Sequence, residues 1–209
     1  IPIEDTPFLV AKSQDELLHQ LEELKISKID KLILTNQTTD YCGNSKRLIE
    51  RFQIKNPVYS GQLSDACYQN VKNSTLTNWS QKDQLEVNSL NIDVLMAKAT
   101  GEMSLGITYG KTSIMYMGNS DLEDEEQLLN HPIKPKILKI ANYAQGESPS
   151  SAFLSKIDPH ISIVFNCGEC KPNEGMIERL NESWIDVYQL SKVGTTIIRM
   201  DLENYEIVS

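Results

Sequence analysis

Short apolar runs alternate with helix-spaced segments along almost the whole chain, and that alternation restricts it to a layered fold in which sheets are covered by helices. Strand-like runs fall at Lys31 to Thr35, Pro57 to Ser60, Ile92 to Ala97, Met103 to Tyr109, Thr112 to Met117, Ile137 to Ala141, Ile161 to Asn166, Ile185 to Leu190 and Thr195 to Met200. Between them, Leu17, Leu18, Leu21 and Leu24 recur at helical spacing behind a Ser13 N-cap. Ser45 to Phe52, Ala66 to Val71, Asp121 to Leu129, Ser150 to Ile157 and Gly175 to Leu180 read as further helices. Gly110-Lys111 is a two-residue connection of the hairpin type, so part of the sheet is antiparallel. Asp121, Glu123, Asp124 and Glu125 crowd one predicted helix start, where carboxylates complement the helix dipole. Residues 61 to 90 are the least periodic and read as a polar loop with one short helix. No repeat or linker divides the chain, which predicts a single α/β domain over residues 1–209.

Composition narrows the partners. Twenty basic against 29 acidic residues give a net charge of -9, which disfavours a general nucleic-acid binder, because phosphate binding rests on a surplus of Lys and Arg. No apolar run approaches the roughly 18 residues of a membrane span. The chain opens at Ile1, and its first ten residues lack the charged and apolar regions of a signal peptide, so a processed product is expected. Four cysteines are too few for a disulfide scaffold. Cys167-Gly168-Glu169-Cys170 forms a C-x-x-C that reads as two thiols in a turn or a local disulfide, as a redox pair, or as half of a metal site, with no second C-x-x-C beside it. N-x-S/T sequons at Asn36, Asn73, Asn78 and Asn181 carry little weight in so Asn-rich a chain. Trp79 and Trp184 read as core or interface anchors.

Taken in order, these segments resemble the metallo-β-lactamase fold, and within it the soluble domain of ComEC-type DNA-uptake proteins and their secreted relatives. In that family a strand runs into L-[ST]-H-x-[DH]-x-D-H-x-G-G, and Leu34-Thr35-Asn36-Gln37-Thr38-Thr39-Asp40-Tyr41-Cys42-Gly43-Asn44 is similar in form. Met117-Gly118-Asn119 stands where the family has T-G-D before an acidic helix. Ile137-Leu138-Lys139-Ile140-Ala141-Asn142-Tyr143-Ala144-Gln145 is similar to I-L-K-x-x-H-H-G-S, and Ser150-Ser151-Ala152-Phe153-Leu154 up to Pro159 continues the match. Val187-Tyr188-Gln189 and Gly194-Thr195-Thr196-Ile197-Ile198 resemble the closing motif. The resemblance runs from about residue 15 to 200, with Ile3-Glu4-Asp5-Thr6 as a remnant of the family's I-D-T-G and one or two opening strands missing. It implies an αββα sandwich of mixed sheets with helices on the outer faces, and placement on the extracytoplasmic side of a bacterial envelope.

The resemblance also implies a dinuclear, usually zinc, centre whose bound water attacks an ester or amide. The ligand positions do not follow it. Asn36, Thr38 and Tyr41 replace imidazole or carboxylate ligands in the first loop, Asn119 replaces the bridging Asp, and Asn142 replaces a His; Asp40 alone keeps the family residue. Neutral amides and hydroxyls are poor zinc ligands, though they are expected to satisfy one another in a semi-buried pocket. His19, His131 and His160 fall outside these motifs and read as structural or solvated.

Three readings follow. The first is a catalytically inactive domain that acts as a binding or structural module for a protein partner, without catalytic residues or cofactor. The second is a hydrolase or phosphodiesterase with a rebuilt site, in which Asp40, Cys42, Cys167 and Cys170 hold one zinc or a thiol acts as nucleophile, although no His supplies a general base. The third is DNA binding without nuclease activity, through Lys134, Lys136 and Lys139 around one strand and Lys111 at a hairpin tip.

Overall fold

A computed structural model of the chain describes residues 6–10, 14–168 and 170–208. In chain order, β1 (Thr6–Val10), β2 (Val58–Tyr59) and β3 (Thr77–Asn78) precede seven further strands: β4 (Gln84–Val87), β5 (Leu90–Ala97), β6 (Met103–Tyr109), β7 (Thr112–Tyr116), β8 (Ile137–Lys139), β9 (Ile161–Val164) and β10 (Asp186–Gln189). Then come β11 (Thr196–Met200) and β12 (Tyr205–Val208). The seven form one sheet in the order β10-β9-β8-β7-β6-β5-β4, antiparallel from β4 to β7 and parallel from β7 to β10. A second, antiparallel sheet has the order β1-β11-β12, and β2 pairs in parallel with β3.

Period-two alternation sends the strand side chains to two separate cores. Met115 and Leu138 face one side, where Leu128 of α5 (Glu125–Leu129), Phe153 and Leu154 of α6 (Ser151–Ile157) and Met176 and Leu180 of α7 (Glu174–Glu182) cover them. Ile114 and Ile137, one residue earlier on the same strands, face the other side and meet Val58 of β2 and Ile198 and Met200 of β11. Beyond that second layer, α1 (Gln14–Glu23) packs Leu17, Leu18 and Leu21 on Leu48 and Phe52 of α3 (Ser45–Phe52). Leu34 is buried with Cys67 and Val71 of α4 (Asp65–Val71). The order is helix, sheet, sheet, helix, the layered α/β sandwich expected from the sequence.

Several expectations need correction. Lys31 to Thr35 does not make a full strand: Ile33 forms an isolated bridge with Val58, which exchanges hydrogen bonds with Leu32 and Leu34 at 2.8 Å each. The helix expected from Asp121 begins at Glu125, because the carboxylates of Asp121 and Asp124 accept from backbone N–H groups in the preceding turn. Residues 61 to 90 are not one loop; they contain β3 and β4 and bury Trp79. Trp184 is 95% exposed rather than an anchor in the core, since it takes a left-handed φ of 59° just past α7 and so leaves both core faces. Ser13 and Ile3 to Asp5 lie outside the described residues.

Glu125 is a buried carboxylate with a purely local task. It accepts from Ser148 Oγ at 2.8 Å, Ser150 N at 2.7 Å and Ser150 Oγ at 2.5 Å, tying α5 to the N-cap of α6. Replacing it by alanine leaves these donors unpaired. A loss of about 2–3 kcal/mol in a denaturant melt is the expected result, and a change under 0.5 kcal/mol would refute the assignment.

Candidate functional site

Because β7, β8 and β9 are parallel, their C-terminal ends open on one edge, and Met117 to Asn119, Ile140 to Ala144 and Phe165 onward emerge there together. The segment after Leu34 reaches the same edge, held by the Met103 N–H donating to Thr35 O at 3.0 Å. Its turn is built locally. Asn36 Oδ1 accepts from Thr38 N at 3.1 Å, Gln37 Oε1 accepts from Ser64 N at 3.0 Å, and Ser64 Oγ returns a bond to Gln37 O at 2.8 Å. Gly101, at φ +98°, makes room for this loop, as a Cβ there would lie 2.5 Å from Gln37 Cγ. The helical turn α2 (Thr39–Cys42) follows, and Cys42 is joined by a disulfide to Cys67 of α4, both side chains fully buried.

The centre of the edge is occupied by Lys139. Its side chain leaves the end of β8 on the inter-sheet side and is 3% exposed. The ammonium donates to Met117 O at 2.9 Å and to Tyr41 Oη at 3.4 Å. Three ring faces surround it, with centroids 4.5 Å away at Tyr116, 4.8 Å at Phe165 and 5.5 Å at Tyr41. Burial pushes its pKa down to about 7. The phenols respond in the opposite direction: burial holds Tyr41 and Tyr116 well above the usual phenol range and pushes Tyr143 up to about 12.

Over this cage the chain makes an uncommon turn. Asn142, Tyr143 and Ala144 have φ of 42°, 54° and 60°, three consecutive left-handed residues, each costing roughly 1–2 kcal/mol relative to right-handed backbone. The turn is held by Gln145 N donating to Asn142 O at 2.9 Å and Asn173 N to Ala144 O at 2.8 Å. It lays Tyr143 against Tyr41 with centroids 5.9 Å apart, and Tyr143 Oη donates to Asp40 Oδ2 at 3.2 Å. Lys139, Tyr41, Tyr143 and Asp40 thus lie one after another from the interior to the surface.

The positions singled out from sequence do converge on this edge, but not as ligands. Asn36 is engaged within its own turn, while Thr38, Asn119 and Asn142 are exposed. Contrary to expectation, the three asparagine amides do not hydrogen-bond to one another among the described residues. The rebuilt Asp40, Cys42, Cys167 and Cys170 site does not assemble either: Cys42 is spent on Cys67, and Cys167 is paired with Cys170. His131 Nε2 meets Leu95 O at 3.0 Å, His160 Nδ1 meets Tyr205 Oη at 3.3 Å, and His19 meets Glu23 at 3.3 Å. Among the described residues no three His, Cys, Asp or Glu side chains gather into a group that could hold a metal. The residues do not fit a zinc centre, because Asp40, bonded to Tyr143, is the one carboxylate among the motif positions and no imidazole joins it there among the described residues. The basic cluster thins as well: Lys139 is internal and Lys111 pairs with Glu203.

Sequence reasoning missed Tyr116 and Phe165, which carry no motif, and the pairing of Cys42 with Cys67. Period-two alternation placing Tyr116 and Lys139 on one sheet face was the signal available for the first.

No family model matches the chain. It is 23% identical over 208 residues to ComE operon protein 3 of Bacillus subtilis strain 168, covering 90% of this chain and 25% of that protein. It therefore spans about a quarter of that relative's length. Among solved structures, the metallo-beta-lactamase fold protein YhfI of Bacillus subtilis superposes with a TM-score of 0.59 at 10% identity, covering 92% of this chain and 83% of that one. A metal-dependent hydrolase of the beta-lactamase superfamily gives a TM-score of 0.58 at 10% identity, over 95% and 87% of the two chains.

Proposed function

We propose that this chain, which has the metallo-β-lactamase fold and is similar in sequence to a quarter of ComE operon protein 3, acts without catalysis, as a binding or structural module for a protein partner. The observation that carries this reading is the lost ligand set where the motifs converge: Asn36, Thr38, Tyr41, Asn119 and Asn142 stand in place of imidazoles and carboxylates, and the rings of Tyr41 and Tyr143 pack together over that edge. Neutral amides and hydroxyls bring a divalent cation no charge and little basicity. We place the domain on the extracytoplasmic side of the envelope. The buried Cys42–Cys67 disulfide supports this, because such bonds persist in oxidising compartments.

Elemental analysis of protein purified in zinc-containing buffer and then exhaustively desalted tests the central point. No stoichiometric zinc and no β-lactam or phosphodiester hydrolysis are expected. One or more equivalents of zinc, with turnover abolished by a chelator, would overturn the proposal.

A further inference from the structure

Trp184 occupies a place that favours glycine. It follows α7 in a Schellman-type cap, in which Trp184 N–H donates to Asn181 O at 3.0 Å and Ile185 N–H to Leu180 O at 3.2 Å. The cap position is left-handed, at φ 59°, a conformation that glycine takes without the steric cost borne by a residue with a Cβ. Leu180 and Ile185 are both buried, so the cap closes on the core without help from the indole. The indole itself is 95% exposed. A large aromatic side chain that strains its backbone and buries almost nothing has no task in folding the domain.

Its surroundings are acidic and lie at an open sheet edge. Glu174, Glu178 and Glu182 recur every four residues along the exposed side of α7, where like charges repel, and the exposed Asp186 follows two residues after Trp184. None of these four carboxylates forms an ion pair among the described residues. Arg179, the one Lys or Arg between residues 174 and 191, donates instead to Glu147 O at 2.7 Å and Pro149 O at 2.8 Å. β10 begins at Asp186 and is the outer strand of its sheet. Because the Asp186 N–H points inward to His160 O, alternation turns the N–H and C=O of Val187 away from β9.

We propose that Trp184 and the free edge of β10 form the docking surface for an extended, arginine-bearing segment of a partner protein. The segment adds main-chain hydrogen bonds at Val187, stacks a guanidinium on the indole and pairs it with Glu182 and Asp186. Charge complementarity selects this occupant, since an acidic segment would be repelled and an apolar one would leave the carboxylates unpaired. This docking surface presupposes a domain that works as a binding module, a reading that zinc content and turnover decide separately.

The test uses the whole chain and two fluorescein-labelled peptides, one of alternating valine and arginine and one of alternating valine and glutamate, read by anisotropy. The arginine peptide is expected to bind wild type at least tenfold more tightly than the glutamate peptide does, and at least tenfold more tightly than it binds Trp184→Gly. Glu182→Gln/Asp186→Asn should weaken it several-fold, while Glu123→Gln/Glu126→Gln, the same change of charge at the start of α5, should leave it unchanged. In urea melts Trp184→Gly is expected to unfold at the wild-type midpoint or above it, because glycine suits the cap. Equal affinity of the arginine peptide for wild type and Trp184→Gly would overturn the proposal, as would a lowered midpoint, which would make the indole a structural anchor. Equal weakening by the two pairs of neutralised carboxylates would reduce the binding to net charge and overturn it as well.

Discussion

Lys139→Met should make the domain more stable at pH 6 and leave it almost unchanged near pH 10, the reverse of what loss of an ion pair would do. The folded pKa is about 7 against an ordinary 10.5, so the folded state disfavours the charged form. Below pH 7 both folded and unfolded chains carry the proton, and the full penalty of burying it is felt. Between pH 7 and about 10 the unfolded chain holds a proton that the folded chain has released, and stability rises with pH. The gap corresponds to roughly 5 kcal/mol at most, and three ring faces with the Met117 carbonyl offset part of it. Methionine fills the same volume and packs well on aromatic rings, while leaving that carbonyl without its donor. A gain of about 2 kcal/mol at pH 6 is expected from urea melts, and the wild-type rise of about 2–3 kcal/mol from pH 7 to 9 should vanish. Measurements stay below pH 10, because the raised phenols of Tyr41 and Tyr116 reverse the slope above it. A variant that is less stable at pH 6 would show that the ammonium is held by more than the cage provides.

Cys42→Ala/Cys67→Ala should cost about 3–5 kcal/mol, the largest loss expected from any paired change outside the main cores. The bond closes 25 residues of chain and pins α2 on α4, which sets the position of Asp40 and Tyr41 against the left-handed turn. Guanidinium melts of the double variant read the loss directly, and dithiothreitol should lower the wild-type midpoint while leaving the variant's unchanged. A loss below 1 kcal/mol would mean that the Gln37–Ser64 hydrogen bonds alone fix the loop.

How much of this was legible in the sequence depends on the range of the forces involved. α3, β6 and β7 were readable to the residue or nearly so, because a helical apolar stripe and a two-residue hairpin connection are local signals. β4 and β12 were not, since both are short edge strands, largely exposed, that exist through their partners. The converging loops were legible as motifs, and the substitutions in them were plain. What fills the site was not: Tyr116 of β7, Lys139 of β8 and Phe165 just past β9 meet through sheet order. The core half of the reading of Trp184 did not hold, as this residue takes a left-handed φ just past α7 and lies 95% exposed.

The register of the small sheet sets a timetable for biogenesis. Thr6 pairs with Met200 and Val10 with Thr196, so β1 leaves the ribosome long before its partner is synthesised. Meanwhile α1 to α4 find their contacts within their own stretch, and each strand from β5 to β10 joins a neighbour completed just before it. The inter-sheet core stays uncovered until Ile198 and Met200 arrive, which makes a nascent chain stalled before residue 196 the species most in need of a chaperone.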